Sequence, residues 1–356
     1  MRESLCLSCY MPETPVLTKK SRVPGWLFPA AGFAVSIVSL YFAFRKFDYD
    51  QLGRDVEHLL WPWVLLGIIF ELATYVVDGW RWLVILSPAE QPTLVQCVRA
   101  TFIGIFANDV LPAKAGELIR PYLLHKWAEV PLSLSITSAA VERIMDGIAM
   151  VLLLYLSALD IPNLPGWLRD GMATLSIVIG AITAVFMFVL FYRTHAHRMV
   201  SGNKWSLKFI HLLEEIHLLG NWRSLGTAFG LTFVYFLCQF VAMFCLARAF
   251  NFDFGLKESA FVLLVVRLIT MIPNAPGNIG VFQEACEQGL RMLMVESFNA
   301  KSFALIAYFF ITAPPLVVGA ISVMLTGMSI GEIHKHAHHA QREHEKSRKV
   351  PQTDVS

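Results

Sequence analysis

Three ionisable residues stand together in an apolar stretch of the sequence. In AAVERIMDGIAM (139–150), Glu142 and Asp146 are four residues apart and share a helix face, while Arg143 can lean toward Asp146 three positions later. An ionised side chain inside a bilayer costs at least about 2.5–3.5 kcal/mol, so such groups face partners or a water-filled cavity. The motif therefore predicts a buried polar site, and its two acids are candidate proton relays.

One of these acids has no basic partner within the motif. A second polar set lies upstream in NDVLPAKAGELIRP (108–121), an apolar segment broken by Pro and Gly. Its candidate site residues are Asn108, Asp109, Lys114, Gly116, Glu117 and Arg120. We expect Lys114 or Arg120, or Arg267 further along the chain, to approach the unpaired acid.

A third polar set occupies another broken segment, RLITMIPNAPGNIGVFQEA (267–285). Its candidate residues are Arg267, Asn274, Gly277, Asn278, Gly280, Gln283 and Glu284. A helix that begins just after each break would direct free N–H groups and a positive dipole end toward the interior, where they favour an anion such as phosphate. Two alternatives stay open: the charges only lock helices together, and Pro and Gly only make the turns.

The elements that must position these residues are membrane helices. Of the 356 residues 56% are hydrophobic and 16% charged, whereas a water-soluble chain carries about 25% charged residues. Apolar segments long enough to cross a bilayer predict six full spans. They are residues 24–44, 60–80, 134–158, 171–192, 224–250 and 302–327. The two broken segments, 93–127 and 258–295, have halves too short to span comfortably.

Basic residues indicate the topology, because cytoplasmic loops are enriched in Lys and Arg. The basic stretches are the amino-terminal tail (1–23), the connection after residue 192 and the carboxyl-terminal tail (328–356). With all three inside, each broken segment enters and leaves on one side as a re-entrant hairpin. This predicts an all-α bundle (24–327) with inverted halves, 60–158 and 224–327, and a disordered, His-rich final tail. The alternative is eight full spans.

Other features indicate anchoring rather than chemistry. Asp78, Trp80, Arg81 and Trp82 close the second predicted span, where aromatic rings and a snorkelling Arg belong at the membrane interface. The sequence contains no G-x-S-x-G, H-E-x-x-H, P-loop or dinucleotide motif. We therefore expect no enzyme, no cofactor and no metal site, and movement of a substrate without ATP.

Taken together, NDVLPAKAGELIRP, VERIMD and PGNIG resemble the flippase-like transmembrane family of lysylphosphatidylglycerol synthase, whose members include the membrane part of the multiple peptide resistance factor. The resemblance covers most of residues 25–327 and implies lipid translocation. It points to Asn108, Pro112, Gly116, Glu117, Arg120, Glu142, Arg143, Asp146, Pro276, Gly277 and Gly280. Lys114 stands where an Arg is common, and either Gln283 or Glu284 takes the place of a frequent Glu. The sequence contains no soluble synthase domain after residue 327, so we expect no lipid aminoacylation.

These observations lead to one functional prediction with two alternatives. The chain is expected to move an anionic phospholipid, or a polyprenyl- or hopanoid-type lipid, across the inner membrane, with both termini in the cytoplasm. Expected partners are membrane lipids, a homo-oligomer and a separately encoded synthase, with no nucleic acid. The alternatives are an intramembrane enzyme acting on a lipid phosphate and a non-transporting assembly protein.

Overall fold

The structure is a computed structural model, and it describes residues 53–54, 56–110, 116–159, 161, 164–191, 218–271, 276–295 and 297–326. The predicted span 24–44, both tails, the basic connection and the candidate residues Lys114 and Asn274 lie outside these ranges. Every regular element in the described ranges is helical.

The helices follow the predicted segments closely. They are α1 (Trp61–Leu86), α2 (Leu94–Val110), α3 (Gly116–Ala128), α4 (Leu132–Ala158), α5 (Gly166–Phe191), α6 (Trp222–Ala249), α7 (Leu256–Thr270), a short 3-10 turn (Pro276–Asn278), α8 (Val281–Met292) and α9 (Ser297–Leu325). The main difference is α1, which continues six residues beyond the predicted end of its span at residue 80.

The antiparallel pair of α1 and α6 lies at the centre of the bundle. At one end the Leu60 N–H donates to the Ala249 carbonyl over 3.1 Å, and at the other the Ser87 and Ser224 hydroxyls are 3.5 Å apart. Gly67 permits this close contact, since a Cβ there would lie 3.2 Å from the Ala242 carbonyl oxygen. The positions of the remaining helices are described below relative to these two ends, which we call the Ala249 end and the Ser87 end.

The first broken segment folds into a hairpin, α2–α3, whose arms pack against each other. Gln96 Nε2 near the start of α2 donates to the Trp127 carbonyl near the end of α3 over 3.0 Å, which closes the base. Close to the break, a Cβ on Gly116 would overlap the Gly104 carbonyl oxygen. Because α2 follows α1 directly, this hairpin enters the bundle from the Ser87 end.

The second broken segment forms the matching hairpin, α7–α8. Its arms touch where a Cβ on Gly289 would lie 3.3 Å from Val262 Cα. A turn follows α6 directly, with the Phe252 N–H donating to the Ala247 carbonyl over 2.9 Å, so this hairpin enters from the Ala249 end. The two hairpins therefore approach from opposite ends of the bundle.

The tips of the two hairpins meet inside the bundle, beside α9. A Cβ on Gly277 would lie 3.8 Å from the Asp109 carbonyl oxygen, and the Tyr308 hydroxyl donates to the Gly277 carbonyl over 2.9 Å. Gly277 and Gly280 have positive φ angles of 70° and 84°, which glycine adopts without a steric penalty. These residues let the chain turn sharply into α8.

The chain is a polytopic, all-helical membrane protein. Four helical stretches are long and apolar enough to cross a bilayer, namely Trp61–Leu86, Gly166–Phe188, Trp222–Ala249 and Asn299–Leu325. Helix α4 has the length of a span but carries the three charges of the VERIMD motif. The predicted all-α class is confirmed, whereas the count of six spans, the re-entrant position of the hairpins and the boundaries of the halves stay predictions.

Candidate functional site

A cavity of about 520 Å³ lies between the two hairpin tips. Helices α1, α4 and α6 complete its wall. The polar residues that line it are Tyr75, Asp78, Thr101, Asn108, Asp109, Glu117, Arg120, Arg143, Tyr235, Arg267 and Asn278, and Gly104, Gly116 and Gly277 bring backbone to its surface. The cavity is large enough to hold a small polar group such as a lipid headgroup.

Arg81 on α1 is the centre of the ion network beside this cavity, and its side chain is fully buried. Its Nη2 lies 2.6 Å from an Asp78 oxygen and 3.3 Å from Glu142 Oε1. Its Nη1 pairs with Asp146 and donates to the Thr232 hydroxyl on α6 over 3.2 Å. One guanidinium thereby connects α1, α4 and α6.

The interpretation of Asp78, Arg81 and Trp82 as interfacial anchors is wrong. Asp78 is only 5% exposed and Trp82 is fully buried, because α1 continues to Leu86 and carries these residues inside the bundle. Trp80 alone of this group turns outward, with 48% of its surface exposed. The sequence pattern does not distinguish the two positions, because a cluster of aromatic and charged residues has the same composition at a helix end in the membrane interface and within a buried helix.

Arg120 from the first hairpin completes the network, as one of the sequence predictions required. Its Nη1 and Nη2 donate to the two oxygens of Glu142 over 2.8 and 3.1 Å, and Nη1 lies 3.2 Å from Asp78 Oδ2. The guanidinium also stacks 4.2 Å above the Trp82 ring, whose Nε1 donates to the Ser138 hydroxyl over 2.9 Å. The hairpin is thus fixed to α1 and α4.

Arg143 on α4 differs from Arg81 and Arg120 because much of its side chain is exposed. Its Nη atoms lie 2.8 Å from Glu142 and 3.4 Å from Asp146, yet 52% of its side chain is exposed. In the described network the three arginines balance the three carboxylates of Asp78, Glu142 and Asp146. The network is therefore neutral, and neither acid of the VERIMD motif is left unpaired.

Arg267 from the second hairpin lines the cavity outside this network. Its Nη2 donates to the Tyr235 hydroxyl over 3.0 Å, and its guanidinium lies within 5.7 Å of the Tyr235 and Phe236 ring centroids. Among the described residues its Nε has no hydrogen-bond partner. Of the three basic residues offered as the partner of the unpaired acid, Arg120 rather than Arg267 makes the contact, and Arg267 forms no ion pair with any carboxylate of the described residues.

The comparisons with known proteins agree with the motifs that meet at this cavity. The model of the family described as the lysylphosphatidylglycerol synthase TM region matches residues 30–319. The chain belongs to this family. It is 25% identical over 245 residues to a UPF0104 membrane protein of Methanocaldococcus jannaschii, covering 64% of this chain and 96% of that protein. A UPF0104 membrane protein of Methanothermobacter thermautotrophicus is 22% identical over 306 residues, covering 77% of this chain and 86% of the relative.

In this member of the lysylphosphatidylglycerol synthase TM family, the structure brings most of the predicted residues together. Nine candidates line the cavity: Asn108, Asp109, Gly116, Glu117, Arg120, Arg143, Arg267, Gly277 and Asn278. Glu142 and Asp146 stand behind them and hold the arginines in place. The three motifs, distant in sequence, therefore converge on one site.

Three candidates of the second hairpin do not line the cavity. Gln283 is 5% exposed and its Oε1 accepts the Gly280 N–H over 2.7 Å, so both residues shape the start of α8. Glu284 accepts a hydrogen bond from Gln288 over 2.9 Å. Gln283 thus serves as a helix cap, and the two alternatives for the frequent Glu of the family, Gln283 and Glu284, stay open.

Sequence reasoning missed the contribution of α1 and α6 to the site of this family member. Tyr75, Asp78 and Tyr235 line the cavity, and Glu71 lies behind Tyr75. A signal was available, because Glu71, Tyr75 and Asp78 recur at intervals of four and three residues and so mark one face of α1. Tyr235 on α6 had no comparable signal in the sequence.

Proposed function

We propose that this chain is a lipid translocase that moves an anionic phospholipid, or a polyprenyl- or hopanoid-type lipid, across a cell membrane without ATP. The observation that carries the proposal is the cavity between the hairpin tips, where three arginines from three different helices face one space. A phosphate group is the natural ligand of such an arrangement, since guanidinium groups bind its oxygens with paired, charge-assisted hydrogen bonds.

The three arginines contribute differently to this binding. Arg120 and Arg143 are neutralised in part by Glu142, whereas the hydrogen-bond partner of Arg267 among the described residues is a tyrosine, Tyr235. The Nε atoms of Arg120 and Arg267 are buried and have no partner among the described residues. A headgroup phosphate in the cavity would supply acceptors for donors that the described protein groups leave unused.

The outer surface supports a path for the lipid chains. Large apolar side chains such as Leu65, Ile69, Ile177 and Val185 are more than half exposed on the outward faces of α1 and α5. Surfaces of this kind are stable against lipid tails. We propose that the headgroup passes through the cavity while the tails stay in the bilayer, so the lipid leaves chemically unchanged.

The proposed topology is that of six full spans with two re-entrant hairpins related as an inverted repeat, in the inner membrane and with both termini in the cytoplasm. The opposite entry of the two hairpins and their meeting at Tyr308, near the middle of α9, support it. Single cysteines placed at Lys126 and Asp253, at the bases of the two hairpins, should react with an impermeant thiol reagent from opposite sides. Reaction of both from the same side would contradict the inverted arrangement.

Reconstitution tests the proposed activity directly. The purified protein is placed in vesicles that contain fluorescently labelled phosphatidylglycerol, and an impermeant reductant then bleaches the label in the outer leaflet. With the protein present, label from the inner leaflet should become accessible faster than in protein-free vesicles. Mass spectrometry of the recovered lipid should find it unchanged; a covalent product would instead indicate an enzyme. The proposal would be contradicted if the protein accelerated the movement of none of these lipids between the leaflets: phosphatidylglycerol, a polyprenyl phosphate or a hopanoid lipid.

We also propose homo-oligomers and a separately encoded synthase as partners. The relatives are named as membrane proteins, and their names state no substrate. Cross-linking in native membranes, followed by mass measurement of the complexes, would test both partners. Monomers without a bound synthase would contradict this part of the proposal.

A further inference from the structure

Glu71 is a buried carboxyl that the ion network does not include. It lies on α1 with 4% of its surface exposed. Its Oε1 accepts a hydrogen bond from the Tyr75 hydroxyl over 3.1 Å. Within the described ranges Glu71 makes no ion pair, in contrast to Asp78, Glu142 and Asp146, each of which has an arginine. Burial without an ion-pair partner favours the neutral, protonated form of a carboxyl group.

Glu71 lies between two spaces in the bundle. On one side its partner Tyr75 lines the cavity between the hairpin tips. On the other side Glu71 itself lines a small pocket of about 10 Å³, with Gly67, Ala242 and Phe310 among its walls. That volume is about what a single water molecule occupies. The small pocket lies toward the Ala249 end, so the carboxyl separates the main cavity from that end of the bundle.

A second polar group without a partner lies at the level of Glu71. Gln239 on α6 is 3% exposed, and neither its Oε1 nor its Nε2 has a hydrogen-bond partner among the described residues. The register of the α1–α6 pair, in which Gly67 meets Ala242 and Arg81 meets Thr232, puts Gln239 level with Glu71. An unpartnered buried amide at the level of a buried carboxyl points to a polar ligand, such as a water molecule, at this depth of the bundle.

The groups that face Glu71 do not fix its protonation state. They are Tyr75 on its own helix, Cys238 on α6 and Arg267 on α7. Its partner Tyr75 is in turn influenced by Tyr235 on α6 and Asp109 on α2. Helix α9 contributes the apolar Phe310 and Ile311. Arg267 is the cation among them, and it hydrogen-bonds Tyr235 rather than Glu71. A phosphate that engages Arg267 would therefore weaken the attraction of this cation for an ionised Glu71.

We infer that Glu71 carries a proton in step with the lipid headgroup, so that lipid movement is coupled to a proton gradient. The inference rests on the proposed translocase function. A hydronium ion in the cavity transfers a proton to Tyr75 Oη as the Tyr75 hydroxyl proton passes to Oε1 of the ionised Glu71 carboxylate, which leaves a water molecule and a neutral Glu71. The reverse transfer returns the proton to water. One proton moving with one singly charged anionic lipid transfers no net charge, so the membrane potential does not oppose the step.

The two acids favoured from sequence as proton relays are unsuited to this role. Glu142 contacts Arg81, Arg120 and Arg143, and Asp146 contacts two of the same arginines. Protonating either acid would leave a buried guanidinium without its counter-charge, which is strongly unfavourable. Glu71 can gain or lose a proton without breaking any ion pair of the described residues.

Reconstituted vesicles with an imposed pH gradient test the inference. The membrane potential is clamped with potassium and valinomycin, and the leaflet distribution of labelled phosphatidylglycerol is measured at steady state. With one proton per lipid, a gradient of about one pH unit should produce about a tenfold difference between the leaflets, since one unit corresponds to a factor of ten. Glu71→Gln keeps an acceptor for Tyr75 but cannot titrate, and should give equal leaflets. The control Glu129→Gln, in an exposed loop, should behave as the wild type.

The outcomes separate this inference from the function on which it rests. If the wild-type protein equilibrates lipid between leaflets but ignores the pH gradient, coupling is overturned and the translocase stands. Glu71→Gln with a full tenfold asymmetry also overturns the role of Glu71. If no lipid moves at all, the translocase itself is excluded. If Glu71→Gln does not fold, Tyr75→Phe replaces it as the test variant. It should slow the development of the lipid difference between the leaflets at least threefold.

Discussion

Arg120 and Glu142 form a bidentate ion pair between the first hairpin and α4, with N–O distances of 2.8 and 3.1 Å. Their side chains are 8% and 0% exposed, so both charges depend on each other rather than on water. A pair of this kind holds the hairpin in position and turns the remaining face of Arg120 toward the cavity. Positioning and headgroup binding are thus functions of the same guanidinium.

Glu142→Gln should strongly destabilise the protein. The substitution removes one of the two carboxylates, Glu142 and Asp78, that the buried Arg81 and Arg120 share. Loss of one partner of a buried pair costs about 3–5 kcal/mol. We expect a lower thermal midpoint of the detergent-solubilised protein. Glu129→Gln, in an exposed loop, is the matched control and should change the free energy of unfolding by less than about 0.5 kcal/mol.

A double-mutant cycle should assign this loss to the pair itself. Arg120→Met should cost less free energy of unfolding in the Glu142→Met background than in the wild type, because no buried acid then remains for Arg120 to compensate. Equal costs in both backgrounds would contradict a direct coupling and would indicate that Arg81 and Arg143 alone stabilise Glu142.

Arg267→Gln should impair transport much more than stability. The Arg267 side chain makes a hydrogen bond to Tyr235 but no ion pair among the described residues. Loss of a charge-assisted hydrogen bond to a headgroup phosphate, about 1.5–3 kcal/mol, should slow lipid movement at least about tenfold. The measurement is the leaflet-exchange rate beside the thermal midpoint. Arg248→Gln is the control, since Arg248 pairs with the exposed Asp253.

Either of two results would contradict this assignment. Unchanged exchange in Arg267→Gln would exclude Arg267 from headgroup binding. A loss of exchange that merely follows the loss of folded protein would show that Arg267 stabilises the second hairpin instead. If Arg267→Lys retained part of the lipid exchange that Arg267→Gln loses, the positive charge at this position would be supported as the group that binds. Lysine keeps the charge of arginine but not its planar guanidinium.

The sequence predicted the broken helices well and the network less well. Hydropathy and the Pro and Gly positions gave the bounds of both hairpins to within a few residues, because chain breaks are local properties. The partner of Glu142 was narrowed to three basic residues, of which Arg120 is confirmed. The choice among them depends on how helices pack, which the spacing of residues within one segment does not determine.

The role of α1 escaped prediction for a physical reason. Arg81 and Trp82 have the composition of an interfacial belt, and only the packing of α2, α4 and α6 around them shows that they are inside. Gly79 carries the local signal of that packing, because a Cβ there would lie 2.7 Å from Val98 Cα on α2. A single glycine in one sequence does not reveal which helix approaches it.

Trp82→Phe tests the corrected position of this residue. The change removes the hydrogen bond from Nε1 to Ser138 and weakens the contact with the Arg120 guanidinium. We expect a loss of about 1–2 kcal/mol in the free energy of unfolding, seen as a lower thermal midpoint. Trp80→Phe is the matched control, because 48% of Trp80 is exposed. Equal effects of the two substitutions would favour the interfacial interpretation.

Gly116→Ala should separate the arms of the first hairpin. A Cβ at this position would overlap the Gly104 carbonyl oxygen and lie 2.7 Å from Asn108 Oδ1, so backbone as well as side chain must move. Overpacking of this kind costs about 1–3 kcal/mol. Because Arg120 is one turn further along α3, the same displacement should lengthen its contacts with Glu142 and reduce lipid exchange.

Gly226→Ala supplies the matched control for this substitution. Gly226 lies within α6, and a Cβ there would meet no atom within 4 Å. Since alanine favours a helix over glycine by about 1 kcal/mol, this variant should be as stable as the wild type or slightly more so. If Gly116→Ala instead kept both its thermal midpoint and its exchange rate, the close contact of the two arms would not be what sets the position of Arg120.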